Sequence, residues 1–151
     1  MNKCWRLVHE RYVRTAFDGE GARRAGGRFN SKGTPVLYTA DSLALAMLEV
    51  SVHLPSYRQL FERVAIPVRF DERHVEDVGE LPAAWNATPV PPVVQIIGDR
   101  WQRSGRSLVL RAPSVIVPRA FNYLINPEHP DFGEIEIGEP EPLQIDARLY
   151  K

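Results

Sequence analysis

Disulfide bonds can be excluded first, because the 151-residue sequence contains a single cysteine, Cys4. Free thiols are typical of proteins in the reducing cytosol, whereas small secreted domains rely on disulfides. The first residues lack the apolar core of a secretion signal, and no apolar run approaches the ~20 residues of a membrane span. We therefore expect a cytoplasmic protein that does not enter the membrane.

Net charge is the second feature that the chain lacks, since 19 basic residues balance 19 acidic ones. A chain of this kind has no long-range electrostatic field that would draw it to nucleic acid or to anionic lipid. We therefore expect that it does not bind nucleic acid directly.

Recognisable metal and nucleotide motifs are missing as well. The four histidines, at positions 9, 53, 74 and 129, show none of the close spacings of zinc sites, and one cysteine cannot complete a ligand set. The Gly-x-Ser-x-Gly elbow, the Walker pattern and the dinucleotide fingerprint Gly-x-Gly-x-x-Gly are absent too. We expect no metal and no hydrolase triad of the elbow type.

The most unusual stretch that is present runs from Leu43 to Leu54, where Glu49 is the one formally charged side chain. Asp41 or Ser42 can cap a helix that begins here, and Pro55 disfavours helix in the residue before it. A helix that is apolar nearly all round is a buried one. A strand over residues 49–54 is the alternative interpretation.

Glu49 is therefore expected in or beside the core, with His53 one helical turn later on the same face. Removing a carboxylate from water costs several kcal/mol, so this group must be neutral, paired or turned towards a ligand. A structural pair with an arginine and a functional site in a cleft both satisfy this condition.

Residues 17–32 differ in composition, with four glycines in positions 19–27 and a run of basic residues: Arg23, Arg24, Arg28 and Lys32. Glycine lets the backbone approach a ligand closely, and arginine matches phosphate oxygens two at a time. A phosphate-binding loop and a solvated, flexible basic loop both fit this composition.

The remaining patterns predict several strands and few helices. We expect strands over residues 4–9, 34–39, 61–70, 75–81, 108–111, 114–117, 134–137 and 144–149, with Pro67 at an edge or bulge. Residues 92–104 predict an amphipathic surface helix with Val93, Ile97 and Trp101 on its apolar side and Gly105 as its stop. Its polar side is expected to carry Gln95, Asp99, Arg100 and Arg103. Residues 122–132 are rich in turn formers. Together these predict a single α+β domain over residues 1–151 with a mixed or antiparallel sheet.

Two further side chains have two interpretations each. Tyr38 ends the strand before the helix of Glu49, and its ring is either a core aromatic or a surface for a base or nicotinamide. Arg6 lies between large apolar neighbours in the first strand, and we expect its guanidinium to extend along them to the surface.

Four segments taken together resemble the RES-domain family. They are residues 26–30 (Gly-Gly-Arg-Phe-Asn), 36–40 (Val-Leu-Tyr-Thr-Ala), 46–53 (Ala-Met-Leu-Glu-Val-Ser-Val-His) and 113–127, which begins Pro-Ser-Val-Ile-Val-Pro. The family is named for an arginine, a glutamate and a serine, which match Arg28, Glu49 and Ser114. The order and spacing agree over nearly the whole chain, although residues 55–105 carry no matching motif.

The resemblance implies a toxin of a bacterial toxin–antitoxin pair, with a compact ADP-ribosyltransferase-like fold and NAD as its substrate. Known members degrade NAD by hydrolysis or phosphorolysis, and one branch ADP-ribosylates a protein. Their usual partner is an Xre-type antitoxin that covers the active site and supplies the DNA-binding part, so we expect an oligomeric complex with it. A catalytically silent nucleotide-binding module with the same pocket is the alternative.

The resemblance also implies roles for individual side chains. A carboxylate beside the nicotinamide–ribose bond would stabilise the oxocarbenium charge that develops there, and Glu49 is expected to do so. The other expected contacts are Arg28 with pyrophosphate or ribose, Tyr38 with nicotinamide, Ser114 and Asn122 with ribose or carboxamide, and Arg6 as a second cation.

Overall fold

The computed structural model describes residues 1–150, and of Tyr150 only the backbone. Eight strands form one sheet: β1 (Asn2–His9), β2 (Leu37–Ala40), β3 (Arg63–Phe70), β4 (Val75–Asp77), β5 (Val109–Pro113), β6 (Phe121–Ile125), β7 (Glu136–Ile137) and β8 (Glu141–Pro142). Their order is β4-β5-β6-β2-β1-β3-β7, and β8 also pairs with β3. The pairing is antiparallel except between β4 and β5.

Three α-helices accompany the sheet: α1 (Glu20–Ala25), α2 (Leu43–Ser51) and α3 (Pro92–Ser104). Short 3-10 helices cover Glu10–Thr15, Tyr57–Glu62, Glu72–His74, Phe132–Glu134 and Ala147–Tyr150. The expected α+β class with a mixed sheet and few helices is confirmed. Among the described residues, none of the helices has both the length and the apolar character needed to cross a bilayer.

The sheet buries different residues on its two faces because side chains alternate along a strand. Helix α2 covers one face, where Leu45 and Ala46 pack with Ala40 of β2 and with Trp5 and Leu7 of β1. The opposite face carries a core that includes Cys4, Leu37, Val68, Phe70 and Tyr123. Strands β1 and β2 therefore separate two cores.

Helix α3 lies on the same face of the sheet as α2. Val94 and Trp101 of α3 form a cluster with Leu110 and Ala112 of β5 and Leu124 of β6. Side chains from β2 reach both helices, since Tyr38 packs against the α3 cluster and Ala40 against α2. This shared face carries most of the candidate site.

Helix α2 is the helix that the sequence predicts, and the alternative strand is wrong. Ser42 caps it, because its Oγ accepts a hydrogen bond from Leu45 N at 3.0 Å. The helix ends at Ser51, so His53 lies beyond it and is exposed. Burial on all sides is also wrong: Leu48 and Val52 are 38% and 57% exposed, because α2 covers the sheet with one side only.

Helix α3 also has the predicted extent, with Gly105 in the left-handed conformation after it (φ 66°). Its buried side differs from the predicted stripe, since Val93 is 50% exposed and Val94 is buried. Asp99, expected on the solvent side, is 6% exposed. Asp99 is buried because the neighbouring Gly98 lets the helix pack directly against the backbone of Phe29. A count of apolar residues cannot detect this contact.

Several predicted strands are wrong in the second half of the chain. Residues 114–117 form a turn, while the residues expected to form a turn from 122 onwards belong to β6. Only Glu136–Ile137 of the 134–137 segment is a strand, and β8 replaces the strand expected at 144–149. Pro67 lies in β3, which has partners on both sides, and Pro67 O accepts from Gly138 N at 2.8 Å.

Candidate active site

Glu49 of α2 is held by two side chains that are distant in sequence. Its Oε1 accepts a hydrogen bond from Ser114 Oγ at 2.5 Å and another from Asn122 Nδ2 at 3.0 Å. Glu49 is partly exposed, whereas Ser114 is fully buried. Within the described residues 1–150 both of these hydrogen bonds go to Oε1, and Oε2 has no recorded donor.

The turn after β5 orients the hydroxyl group of Ser114. The backbone N–H groups of Ile116 and Val117 donate to its Oγ at 3.0 and 3.1 Å, and Ser114 N donates to Ala120 O at 3.0 Å. With the lone pairs occupied by these donors, the hydroxyl proton is directed to Glu49. Residues 114–117, predicted as a strand, therefore form the turn that orients the Ser114 hydroxyl towards Glu49.

Asn122 owes its position to the sheet. It lies in β6 opposite Ala40 of β2 and Ala112 of β5. Asp41, just before α2, exchanges two hydrogen bonds of 3.0 Å with the backbone of Phe121. These bonds connect the start of α2 to β6, so the helix that carries Glu49 and the strand that carries Asn122 are fixed to each other.

Tyr38 has its hydroxyl fully engaged. The hydroxyl donates to Asn30 Oδ1 at 2.6 Å and accepts from Phe29 N at 3.1 Å. Burial raises the pKa of Tyr38 above its usual value, so its proton stays in place near neutral pH. Tyr38 therefore connects β2 to the glycine-rich segment.

The glycine-rich segment has regular local structure rather than the form of an irregular loop. Residues 20–25 form α1, in which Glu20 pairs with Arg23 at 2.8 Å and with Arg24 at 3.5 Å. The next residues form a tight turn closed by a bridge between Gly27 and Asn30. Buried Asn30 donates through Nδ2 to the carbonyl groups of Ala22, Ser31 and Thr34.

Arg28 lies inside this turn and reaches a segment that carries no recognisable motif. Its Nη1 donates to Trp85 O at 3.0 Å and to Ala87 O at 2.7 Å. In the described part of the chain its recorded hydrogen bonds all use Nη1, which leaves Nε and Nη2 for a ligand. Carbonyl groups have no side-chain signature, so sequence reasoning missed this contact.

Arg6 lies on the other face of the sheet from α2. Its Nε donates to Ala16 O at 2.6 Å and its Nη1 to Tyr38 O at 3.0 Å. Burial lowers the pKa of Arg6 to about 10, and the negative charge of Asp18 opposes part of that shift. The expectation that Arg6 extends to the surface is wrong, because it instead supports the backbone of β2 beneath Tyr38.

The structure therefore brings Glu49, Ser114 and Asn122 into direct contact. Arg28 lies in the 27–30 turn, and the hydroxyl of Tyr38 joins β2 to that turn. The same site can be compared with known proteins. The sequence profile described as "RES domain" matches residues 3–146. The chain belongs to the RES domain family.

Curated relatives of this RES protein are toxins. "Prs ADP-ribosylating toxin" from Sphingobium sp. (strain YBL2) is 36% identical over 154 residues, covering 97% of this chain and 96% of the relative. "Toxin Res" from Photorhabdus laumondii subsp. laumondii is 36% identical over 151 residues with the same coverage. The RES protein is accordingly a toxin of this family, and membership of the family indicates that it is an enzyme.

Among solved structures, the M. tuberculosis MbcT–MbcA toxin–antitoxin complex contains a chain with a similar fold. The TM-score is 0.75 at 19% identity, and the match covers 95% of the RES protein and 84% of that chain. At this identity the likeness concerns the fold alone. The expected ADP-ribosyltransferase-like architecture is confirmed.

A cluster of polar groups lies elsewhere in the RES protein. One ligand atom from each of His74, Asp131 and Glu134 lies within 4.8 Å of the others. Glu134 is already shared by two basic groups, His74 Nε2 at 3.4 Å and Arg73 Nη2 at 2.6 Å. A surface cavity of about 270 Å³ beside His74 and Asp131 contains none of the site residues described above.

Proposed function

We propose that this RES protein binds NAD and cleaves its nicotinamide–ribose bond, which depletes the NAD of the cell. The observation that supports this most is the carboxylate of Glu49, with Oε1 held by Ser114 and Asn122. A carboxylate whose position is fixed before the reaction can stabilise charge that develops in the transition state without reorganising.

In the proposed reaction, the bond between the anomeric carbon and the nicotinamide nitrogen breaks. The electron pair goes to the ring nitrogen and neutralises its positive charge, while the ribose becomes oxocarbenium-like. Glu49 stabilises this charge through its free oxygen, directly or through a ribose hydroxyl. Water then bonds to the anomeric carbon and releases one proton to the solvent, or a deprotonated oxygen of inorganic phosphate bonds to that carbon without loss of a proton. Hydrolysis therefore yields nicotinamide and ADP-ribose, and phosphorolysis yields nicotinamide and the 1-phosphate of ADP-ribose.

The other side chains bind and orient in this proposal. Arg28 offers the Nε and Nη2 edge of its guanidinium to the pyrophosphate, since arginine binds phosphate oxygens in pairs. Tyr38 contacts nicotinamide with its ring, since its hydroxyl is already hydrogen-bonded to Phe29 N and Asn30 Oδ1. Ser114 and Asn122 act through Glu49 as positioning residues, and Arg6 supports β2 from the opposite face.

ADP-ribosylation of a protein is the second candidate activity. It is favoured by the name of one relative, "Prs ADP-ribosylating toxin", at 36% identity over almost the whole chain. The bond that breaks is the same, and a protein side chain replaces water or phosphate as the acceptor. Glu49 and Arg28 would have the same roles in both reactions, so the acceptor alone distinguishes them.

The test is incubation of the purified protein with NAD carrying a label on its adenylate group, with and without inorganic phosphate. Free nicotinamide with labelled ADP-ribose or its 1-phosphate supports NAD depletion. Label on an added protein fraction supports the transferase. Glu10→Gln, which alters an exposed carboxylate outside the Glu49 hydrogen-bond network, is the matched control for Glu49→Gln. Intact NAD after prolonged incubation would favour the catalytically silent module.

We also propose that an Xre-type antitoxin covers the site and supplies the DNA contact that a chain without net charge lacks. Apolar side chains are exposed at two of the elements that carry the Glu49 network: Leu48 of α2 with Val52 directly after it, and Ile116 and Val117 in the turn after Ser114. Exposed apolar groups that lie together are typical of interfaces. The solved relative of similar fold was crystallised as a toxin–antitoxin complex.

Co-expression tests this proposal. The chain alone should arrest growth as NAD falls, and a regulator encoded beside it should restore growth and co-purify with the chain. Val52→Asp should weaken the complex, whereas Ile137→Asp on β7 should not, although Ile137 is also exposed (46%). Healthy cells with normal NAD during strong expression would contradict the toxin activity.

A further inference from the structure

The tight turn that carries Arg28 is attached at both ends to helix α3. Gln95 Nε2 donates to Gly27 O at 3.0 Å. Asp99 Oδ1 accepts from Ser31 N at 2.9 Å, and its other oxygen accepts from Ser31 Oγ. Gln95 and Asp99 are four residues apart and therefore share one face of the helix. Two polar side chains thus fix the residues on either side of Arg28.

Between these two contacts, the backbone of α3 touches the turn directly. A Cβ atom added at Gly98 would lie 1.6 Å from the carbonyl oxygen of Phe29. This approach is possible only because position 98 has no side chain. The same face of α3 therefore meets both ends and the middle of the turn.

We infer that Gln95, Gly98 and Asp99 are positioning residues that set where Arg28 meets its ligand. Asp99 supports this inference because it is a carboxylate with only 6% of its surface exposed. In the described residues 1–150, both of its recorded hydrogen bonds come from the neutral groups of Ser31. A buried polar group of this kind fixes a geometry more clearly than it stabilises a fold.

The guanidinium of Arg28 is held by the segment that precedes α3. Its Nη1 is held by the carbonyl groups of Trp85 and Ala87, and the segment that contains them leads into α3 at Pro92. Helix α3 therefore fixes the backbone of the turn, and the segment before α3 fixes the side chain of Arg28. In the described part of the chain the Nε and Nη2 edge has no recorded acceptor, and arginine binds phosphate oxygens in pairs through such an edge.

This inference rests on the proposed function, in which Arg28 binds the pyrophosphate of NAD. Gln102 provides a matched control, because it is also a buried polar residue of α3 (5% exposed). Its Nε2 donates to Asn126 and Glu128, away from the Arg28 turn. A variant at Gln102 should disturb the fold in a comparable way without moving Arg28.

The experiment measures KM and kcat for NAD in Asp99→Ala and Gln102→Ala, each in the wild-type and the Arg28→Ala background. We expect Asp99→Ala to raise KM about ten-fold in the wild-type background and less than two-fold in Arg28→Ala. Gln102→Ala should leave KM within two-fold in both. Equal effects of Asp99→Ala in the two backgrounds, or equal KM changes in Asp99→Ala and Gln102→Ala, would overturn the inference.

Two additions keep the test decisive. If Asp99→Ala does not fold, Gln95→Ala replaces it, because this variant removes a single hydrogen bond to the turn. It should raise KM about three-fold, and only while Arg28 is present. An unchanged KM in Gln95→Ala would overturn the inference. Should the wild-type protein leave NAD intact, the proposed function fails, and amide hydrogen exchange of residues 27–31 decides the inference alone. Faster exchange in the Asp99 or Gln95 variant than in Gln102→Ala supports positioning, and equal exchange overturns it.

Discussion

Removal of either donor to Glu49 should lower the rate of nicotinamide release, and the two removals should not be additive. Ser114 Oγ and Asn122 Nδ2 both donate to Glu49 Oε1, at 2.5 and 3.0 Å. A hydrogen bond to a charged group contributes about 1.5–3 kcal/mol. Loss of one such interaction in the transition state corresponds to roughly a ten- to hundred-fold lower kcat.

The two variants should differ in stability. Ser114→Ala also removes the acceptor for the N–H groups of Ile116 and Val117, so the free energy of unfolding should fall by about 2 kcal/mol. Asn122→Ala leaves that turn intact and should cost about 1 kcal/mol. Once one donor is gone Glu49 is already mobile, so the second removal should reduce kcat less than it does alone, with a coupling energy of about 0.5–2 kcal/mol.

The assay combines single-turnover release of nicotinamide with denaturant unfolding for the wild type, both single variants and the double variant. Asn122→Asp is a useful addition, because it keeps the shape of the side chain but replaces the donor by a second negative charge beside Glu49. Unchanged kcat in folded single variants, or strictly additive losses in the double variant, would refute the positioning role of these side chains.

Three further predictions concern Gly98, Arg28 and Cys4. Gly98→Ala should lower the free energy of unfolding by about 3 kcal/mol, as measured by urea denaturation, because its Cβ would clash with Phe29 O; a loss below 1 kcal/mol would contradict the close contact. Arg28→Lys keeps the charge but loses the planar fork, so calorimetry should show about ten-fold weaker NAD binding, and unchanged affinity would count against bidentate binding. Burial raises the pKa of the Cys4 thiol from 9.0 to about 12, so a thiol reagent at pH 8 should label unfolded protein only. Rapid labelling of the folded protein would contradict the buried thiol. Between pH 9 and 12 the folded state binds more protons than the unfolded state, so the free energy of unfolding should fall as pH rises, by up to about 1.4 kcal/mol per pH unit from this group.

Local chemistry was sufficient to identify α2 and its single charged residue. The cap at Ser42 and the apolar run act within a few residues, and they predicted the helix that carries Glu49, although it ends at Ser51 and not just before Pro55. Glycine at position 105 and proline at position 92 similarly predicted the ends of α3.

The family resemblance grouped Glu49 with Ser114 and Asn122, but the hydrogen bonds between them could not be predicted from local patterns because they depend on distant contacts. Asn122 lies 73 residues from Glu49 and Ser114 lies 65 residues away, and neither separation leaves a local pattern. Asn122 was assigned to a turn by its residue type, whereas pairing with β2 and β5 places it in a strand. Asp99 was assigned to the solvent side because Gly98 scores as neutral in an apolar pattern, although it allows α3 to approach Phe29.

The central claim is that the carboxylate of Glu49 promotes cleavage of NAD, and Glu49→Gln tests it most directly. Glutamine can keep an acceptor oxygen towards Ser114 and Asn122, so the variant removes the charge while it preserves the network. The measurement is nicotinamide release from NAD by purified wild type and Glu49→Gln, with equal unfolding free energies confirmed for both. We expect release by the wild type and at least a hundred-fold slower release by the variant. Equal rates in the two folded proteins would contradict the account.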